Sequence, residues 1–156
     1  MQTQNTTQSP REVPPPWSPT GVSLIALFLP PGGSVLTVWN LQRLGRMDIT
    51  AARQMILVIM LVFALGYAVL LSLTPMKTGG IPQFDSNSIT LINFGTAIAS
   101  YLVQRPKFLE WKNTHKRTRP GSVVSAIAIA ALYTVLISVV ASISYFVVQL
   151  VMGSGA

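Results

Sequence analysis

Four uncharged, mostly apolar stretches divide the chain: residues 21–41, 54–74, 88–104 and 122–152 contain no Asp, Glu, Lys, Arg or His. A helix needs roughly 20 such residues to cross a bilayer. The third stretch is the shortest, and its 17 residues reach only about 26 Å at about 1.5 Å per residue. The pattern predicts an all-α fold, a polytopic membrane protein with four transmembrane helices in a compact bundle over residues 21–153. Residues 1–20 are polar and then proline-rich, which predicts a disordered tail, because such a segment buries too little apolar surface to fold alone. Its PPPWSP run also suits docking on an aromatic groove.

The first stretch carries an interruption, LFLPPGGSVL. Pro30 and Pro31 each lack an amide proton and clash with the preceding turn, and Pro31 also drives Pro30 away from helical angles. A continuous helix is not expected there. The expectation is one half-helix ending near Leu29 and a second starting with proline in its first turn, where the missing proton is harmless. Gly32 and Gly33 then allow a neighbouring backbone to come close. Such a break must be buried in protein or face water, since lipid cannot satisfy the freed carbonyls of Ala26 and Leu27. Two geometries remain open: a kinked span that crosses, or a re-entrant hairpin that returns the chain to its starting side.

Packing signals lie in the last two stretches. Asn93 lies within the third, with Gly95 and Ala99 as a small-xxx-small pair, and asparagine in hydrocarbon usually bonds across to another helix. In the fourth, Ser122, Ala126, Ala130, Thr134, Ser138 and Ser142 recur every four residues. Small side chains at that spacing form a shallow groove for another helix backbone. Each step turns about 40° beyond a full revolution, so the groove winds and one straight partner follows only part of it.

Composition agrees with the pattern: half of the 156 residues are hydrophobic and 10% charged, and the mean hydropathy is +0.52. The formal charge of +7 changes the picture more, because of where it sits. Arg11 cancels Glu12, and Lys77 cancels Asp85. The first connection holds Arg43, Arg46 and Arg53 against Asp48, a net +2. The third holds Arg105, Lys107, Lys112, Lys116, Arg117 and Arg119 against Glu110, a net +5. Cations are retained on the cytoplasmic side during insertion, so both connections are expected there, with both termini outside. A re-entrant first stretch would place the N-terminus inside instead. The third connection also contains Trp111, and its mixture of cations and aromatics suits a bilayer surface with anionic lipids, or an acidic partner. A nucleic-acid role is not expected.

The missing chemistry narrows the function further. No carboxylate lies within an apolar stretch, so proton coupling through an intramembrane acid is not expected. The single histidine, His115, sits among cations outside the stretches, which argues against haem held in the bilayer. The membrane serines have no adjacent base, the chain has no cysteine, and there is no phosphate-binding glycine loop. The reading is of no catalytic residues, no metal and no cofactor.

Two segments carry a resemblance. FLPPGGSVLTVWNLQRLGR, residues 28–46, and LINFGTAIASYLVQRPKFLEWKNTHKRTRPGS, residues 91–122, resemble the first span and the later Asn-containing span, basic loop and Gly-Ser entry of a widespread group of small bacterial inner-membrane proteins of unassigned function. The resemblance implies a four-span bundle with Pro30, Gly32, Gly33, Asn40 and Asn93 at recurrent positions. It brings no reaction with it. Pro31 departs from that group's single proline and favours a full break.

The functional expectation is a non-enzymatic integral protein of the bacterial inner membrane, an accessory or scaffold subunit of a larger membrane complex. Its partners would be membrane subunits or further copies of itself. The alternative is a small transporter or pore-forming oligomer that uses the broken first helix.

Overall fold

The structure, a computed structural model, describes residues 14–73 and 86–153. These residues form five helices: α1 (Pro19–Phe28), α2 (Pro30–Arg43), α3 (Ile49–Leu73), α4 (Ser86–Thr114) and α5 (Val123–Gly153). No strand occurs among the described residues.

The helix boundaries follow from local chemistry. Ser18 caps α1, its hydroxyl accepting from the Gly21 amide at 3.2 Å, and Pro19 opens the first turn. Leu29 ends that helix with φ −131° and ψ 69°, the non-helical backbone that a following proline imposes. At the far end of α2, Gly45 takes φ +70°. Gly45 N donates to Gln42 O at 3.0 Å and Arg46 N to Leu41 O at 2.9 Å, the double bond of a Schellman motif. Asp48 then caps α3, its carboxylate accepting from Ala51 N at 2.7 Å.

Residues 21–41 do not form one span. The tail-side residues Pro15 and Trp17 bond to Arg43 and Asn40 respectively, while Gly33 lies against Ala26. Partners thus approach one another in number toward Leu29, which defines an antiparallel helical hairpin. With 10 and 14 residues, α1 and α2 extend about 15 and 21 Å, too short to cross a bilayer of about 30 Å.

The tail expectation is also corrected. Residues 14–18 have no regular secondary structure yet pack into the fold, and residues 19 and 20 are helical, because Trp17 is 2% exposed and its neighbour Pro16 is buried as well. The Gly121 amide donates to Pro16 O at 2.9 Å, so much of the PPPWSP run is used inside the fold. Residues 1–13 fall outside the described set.

Helix α2 is central and packs against all four other helices, whereas α4 approaches only the hairpin and makes no backbone approach to α3 or α5 among the described residues. One apolar cluster joins Trp17, Val22, Ile25 and Leu36 to Ala126 and Ala130. A second joins Val35 and Val38 to Ala52 and Ile56. Helix α4 continues for ten residues past Gln104, so the expected loop begins only after Thr114. Pro106 lies inside it and deprives the Leu102 carbonyl of its intrahelical donor.

Among the described residues, two helices are long and apolar enough to cross a membrane, at Ile49–Val69 and Val123–Val147. Only 17% of each most apolar window is buried, which sets them apart from the enclosed core helix of a water-soluble protein. Leu57, Leu61 and Leu65 on α3 and Leu132, Val135 and Phe146 on α5 face outward.

Candidate functional site

The hairpin has a polar base and an apolar tip. At the base, Asn40 on α2 and Gln104 on α4 are both 0% exposed. Asn40 Oδ1 accepts from Trp17 N at 2.7 Å, and Asn40 Nδ2 donates to Trp17 O at 2.9 Å and also to Gln104 Oε1. Gln104 Nε2 donates to Ser100 O at 2.7 Å and to Thr37 Oγ1 at 3.3 Å. Thr37 Oγ1 lies 2.9 Å from both Gly33 O and Ser100 Oγ. Its single proton goes to the carbonyl, which leaves its lone pairs for Gln104 and the Ser100 hydroxyl. Both amide groups are therefore saturated. A fully satisfied buried network rigidifies one arrangement, and this one clamps the tail-side segment, α2 and α4 together.

Arg43 closes the base from outside. Its guanidinium stands 3.7 Å from the centroid of the Trp17 ring and donates to Pro15 O at 3.1 Å. The indole Nε1 in turn donates to Ser125 Oγ at 3.4 Å. Burial pushes the Arg43 pKa down, yet a guanidinium stays charged in proteins, so the cation–π contact persists across the working pH range.

At the tip, Pro30, Pro31, Gly32 and Gly33 are all buried. Gly32 presses on the Ala130 carbonyl and Gly33 on Ala26, so that a Cβ at either would overlap its neighbour. The tip's amides are also consumed: the prolines have none, Gly32 N donates to Thr134 Oγ1 at 3.2 Å, and Gly33 N donates to Leu29 O at 2.8 Å. A helix N-terminus binds anions through free amides, and this one has none to offer in its first four positions. Beside the tip lies a cavity of about 160 Å³ between α3 and α4, reached by Pro30, Gly66, Tyr67 and Asn93.

The residues expected to pack divide into two groups. Ala126 and Ala130 are buried and Thr134 bonds the tip, whereas Ser122, Ser138 and Ser142 are exposed. Ser138 and Ser142 return their hydroxyls to Thr134 O and Ser138 O, at 2.9 and 2.8 Å. The groove is thus occupied by the hairpin over its first half and open over its second, as its winding requires. Asn93 makes no bond across to another helix among the described residues and instead lines the cavity. An ideal Cβ on Gly95 meets nothing within 4 Å, and Ala99 is exposed. The interhelical clasp belongs to Asn40 and Gln104. Its signal was the polar spacing Thr37/Asn40 and Ser100/Gln104, three and four residues apart on otherwise apolar helices.

The cations gather at the hairpin-base end. Arg105 sits 5.6 Å from the Tyr101 ring centroid and Lys107 pairs with Glu110 at 2.6 Å. Lys112, Lys116, Arg117 and Arg119 are exposed and form no ion pair among the described residues. Trp111 is half-buried, stacked between Phe108 and His115 with centroids at 5.7 and 5.4 Å. No group of three or more His, Cys, Asp or Glu able to hold a metal occurs among the described residues. Comparison with protein-family models, curated proteins and solved structures finds no match to this chain.

Proposed function

We propose that the chain is an integral membrane protein in which α3, α4 and α5 cross the bilayer and the α1–α2 hairpin enters from the cationic side and turns back near mid-depth. It acts as a non-enzymatic accessory or scaffold subunit. The observation that carries this reading is the apolar exterior of α3 and α5, exposed along spanning length. Leaving it in water would forfeit about 25 cal/mol for each Å² of apolar surface. Helix α4 is uncharged from Ser86 to Gln104 and provides the third crossing. The cation-bearing end then faces the cytoplasm of a bacterial inner membrane, together with residues 14–18, and the far end of α5 faces outside. This replaces the expectation of four spans with both termini outside.

The scaffold role is supported by the saturated clasp, which stabilises one arrangement, and by the unoccupied outer half of the α5 groove, which is available to a neighbouring subunit or a second copy. The resemblance to small four-span bacterial proteins remains a proposal of the same kind, with the hairpin in place of the first span. A transporter is the second reading, favoured by the cavity that joins Pro30 to Asn93. Fractionation separates the first claim from its rival: the chain is expected to stay with membranes through alkaline carbonate and to need detergent for release. Recovery in the detergent-free supernatant would overturn it. Purification in mild detergent then distinguishes the roles, since stoichiometric foreign subunits support the scaffold and their absence favours transport.

A further inference from the structure

We infer that the cavity beside the hairpin tip is a binding site for a neutral ring of about benzene size that carries one oxygen substituent, a phenol-like group supplied from the bilayer. The supply route rests on the membrane reading; the site itself does not.

Three observations define the ligand. The hairpin stops partway along α3 and α4, and these helices do not approach each other among the described residues, which leaves the cavity between Val62, Gly66 and Tyr67 on one wall and Ile92 and Asn93 on the other. Its volume is about 160 Å³, room enough for a ring of benzene's size, and it is open on one side, where Val62, Gly66 and Ile92 are exposed. No charged side chain lines it, so an ionic ligand would lose its hydration without compensation. Asn93 supplies the polar contact. Its amide and the Tyr67 hydroxyl have no hydrogen-bond partner among the described residues, and an amide both donates and accepts. An oxygen-bearing ring therefore satisfies a group that a plain hydrocarbon leaves unpaired.

The glycine makes the site testable. A Cβ at Gly66 meets nothing within 4 Å, so Gly66→Leu can place a side chain in open space without displacing a neighbour. The experiment titrates 4-fluorophenol and, separately, fluorobenzene into the full chain in detergent micelles, read by fluorine NMR against protein-free micelles. Expected is saturable binding of 4-fluorophenol, at least about tenfold tighter than fluorobenzene for a hydrogen bond gained in an apolar site. Gly66→Leu should abolish the saturable signal with an unchanged or raised melting temperature. Asn93→Leu should keep ring binding and remove the preference. Equal affinity for the two probes, no saturation, or undiminished binding in Gly66→Leu would each overturn the assignment. Should Gly66→Leu not fold, the Asn93→Leu comparison decides alone. Should the chain prove soluble without detergent, the same titration in buffer tests the site independently of the membrane reading.

Discussion

The side chain of Asn40 pairs with the main chain of Trp17 on both its edges, accepting from the amide at 2.7 Å and donating to the carbonyl at 2.9 Å. One side chain in the second half of the hairpin thereby fixes the entering segment by both polar groups of a single residue. The indole beyond it fills the space under Arg43 and against α5.

Replacing Asn40 should therefore loosen the hairpin base. Asn40→Ala strands the Trp17 amide and carbonyl and the Gln104 oxygen, and an unsatisfied buried group costs about 1–3 kcal/mol, so a loss of about 3 kcal/mol is expected in denaturant unfolding in detergent. Asn40→Asp keeps the acceptor but loses both donated bonds and adds a buried charge. It should be the worse of the two, and an aspartate variant as stable as wild type would contradict the clasp.

Space at the glycines predicts opposite responses to one methyl group. Gly32→Ala and Gly33→Ala overlap the Ala130 carbonyl and Ala26, so each should cost about 1–3 kcal/mol through overpacking. Gly66→Ala and Gly95→Ala enter open space and should be neutral or slightly stabilising in a helix. Melting temperatures of the four variants measure the contrast.

The two halves of the α5 groove should respond differently to bulk. Ala130→Leu, at a fully buried position against Gly32, should prevent folding or lower the melting temperature sharply. Ser138→Leu, on the open half, should leave the monomer intact and change only what co-purifies with it. Native mass spectrometry of the Ser138→Leu protein checks the second outcome, and unaltered assembly would remove the groove as an interface.

Sidedness has a direct test, because the chain has no cysteine. Single Pro14→Cys and Lys116→Cys variants, exposed to an impermeant maleimide, should both be protected in intact cells and become reactive once the membrane is opened. Labelling of Pro14→Cys from outside would restore a crossing first segment.

The free cations should govern lipid retention without governing the fold. Neutralising Lys112, Lys116, Arg117 and Arg119 to Gln should reduce retained phosphatidylglycerol, since each cation near an anionic surface contributes about 1 kcal/mol. The melting temperature should hold, because these side chains are exposed and unpaired among the described residues. Raising the salt should weaken retention in the wild type and have less effect in the variant.

What the sequence determined by itself was local or periodic. Two adjacent prolines exclude continuous helix through sterics confined to a few residues, so the break at Leu29 was legible. So were the long apolar helices, from the absence of charge, and the partial use of the α5 groove, from its angular drift. The tertiary structure decided the direction of the chain after the break. A proline pair specifies that a helix stops, not whether the next one continues or returns, and that choice depends on whether Asn40 and Gln104 find partners on residues far away in sequence. The same holds for Trp17, which looks like part of a polar tail until Asn40, Arg43 and Ser125 converge on it. It also holds for Asn93, whose apparent bonding role passed to Gln104 once the hairpin ended partway and left the α3–α4 space unfilled. Hydrogen-bond satisfaction between distant segments is a property of the assembled chain, and no window of neighbouring residues contains it.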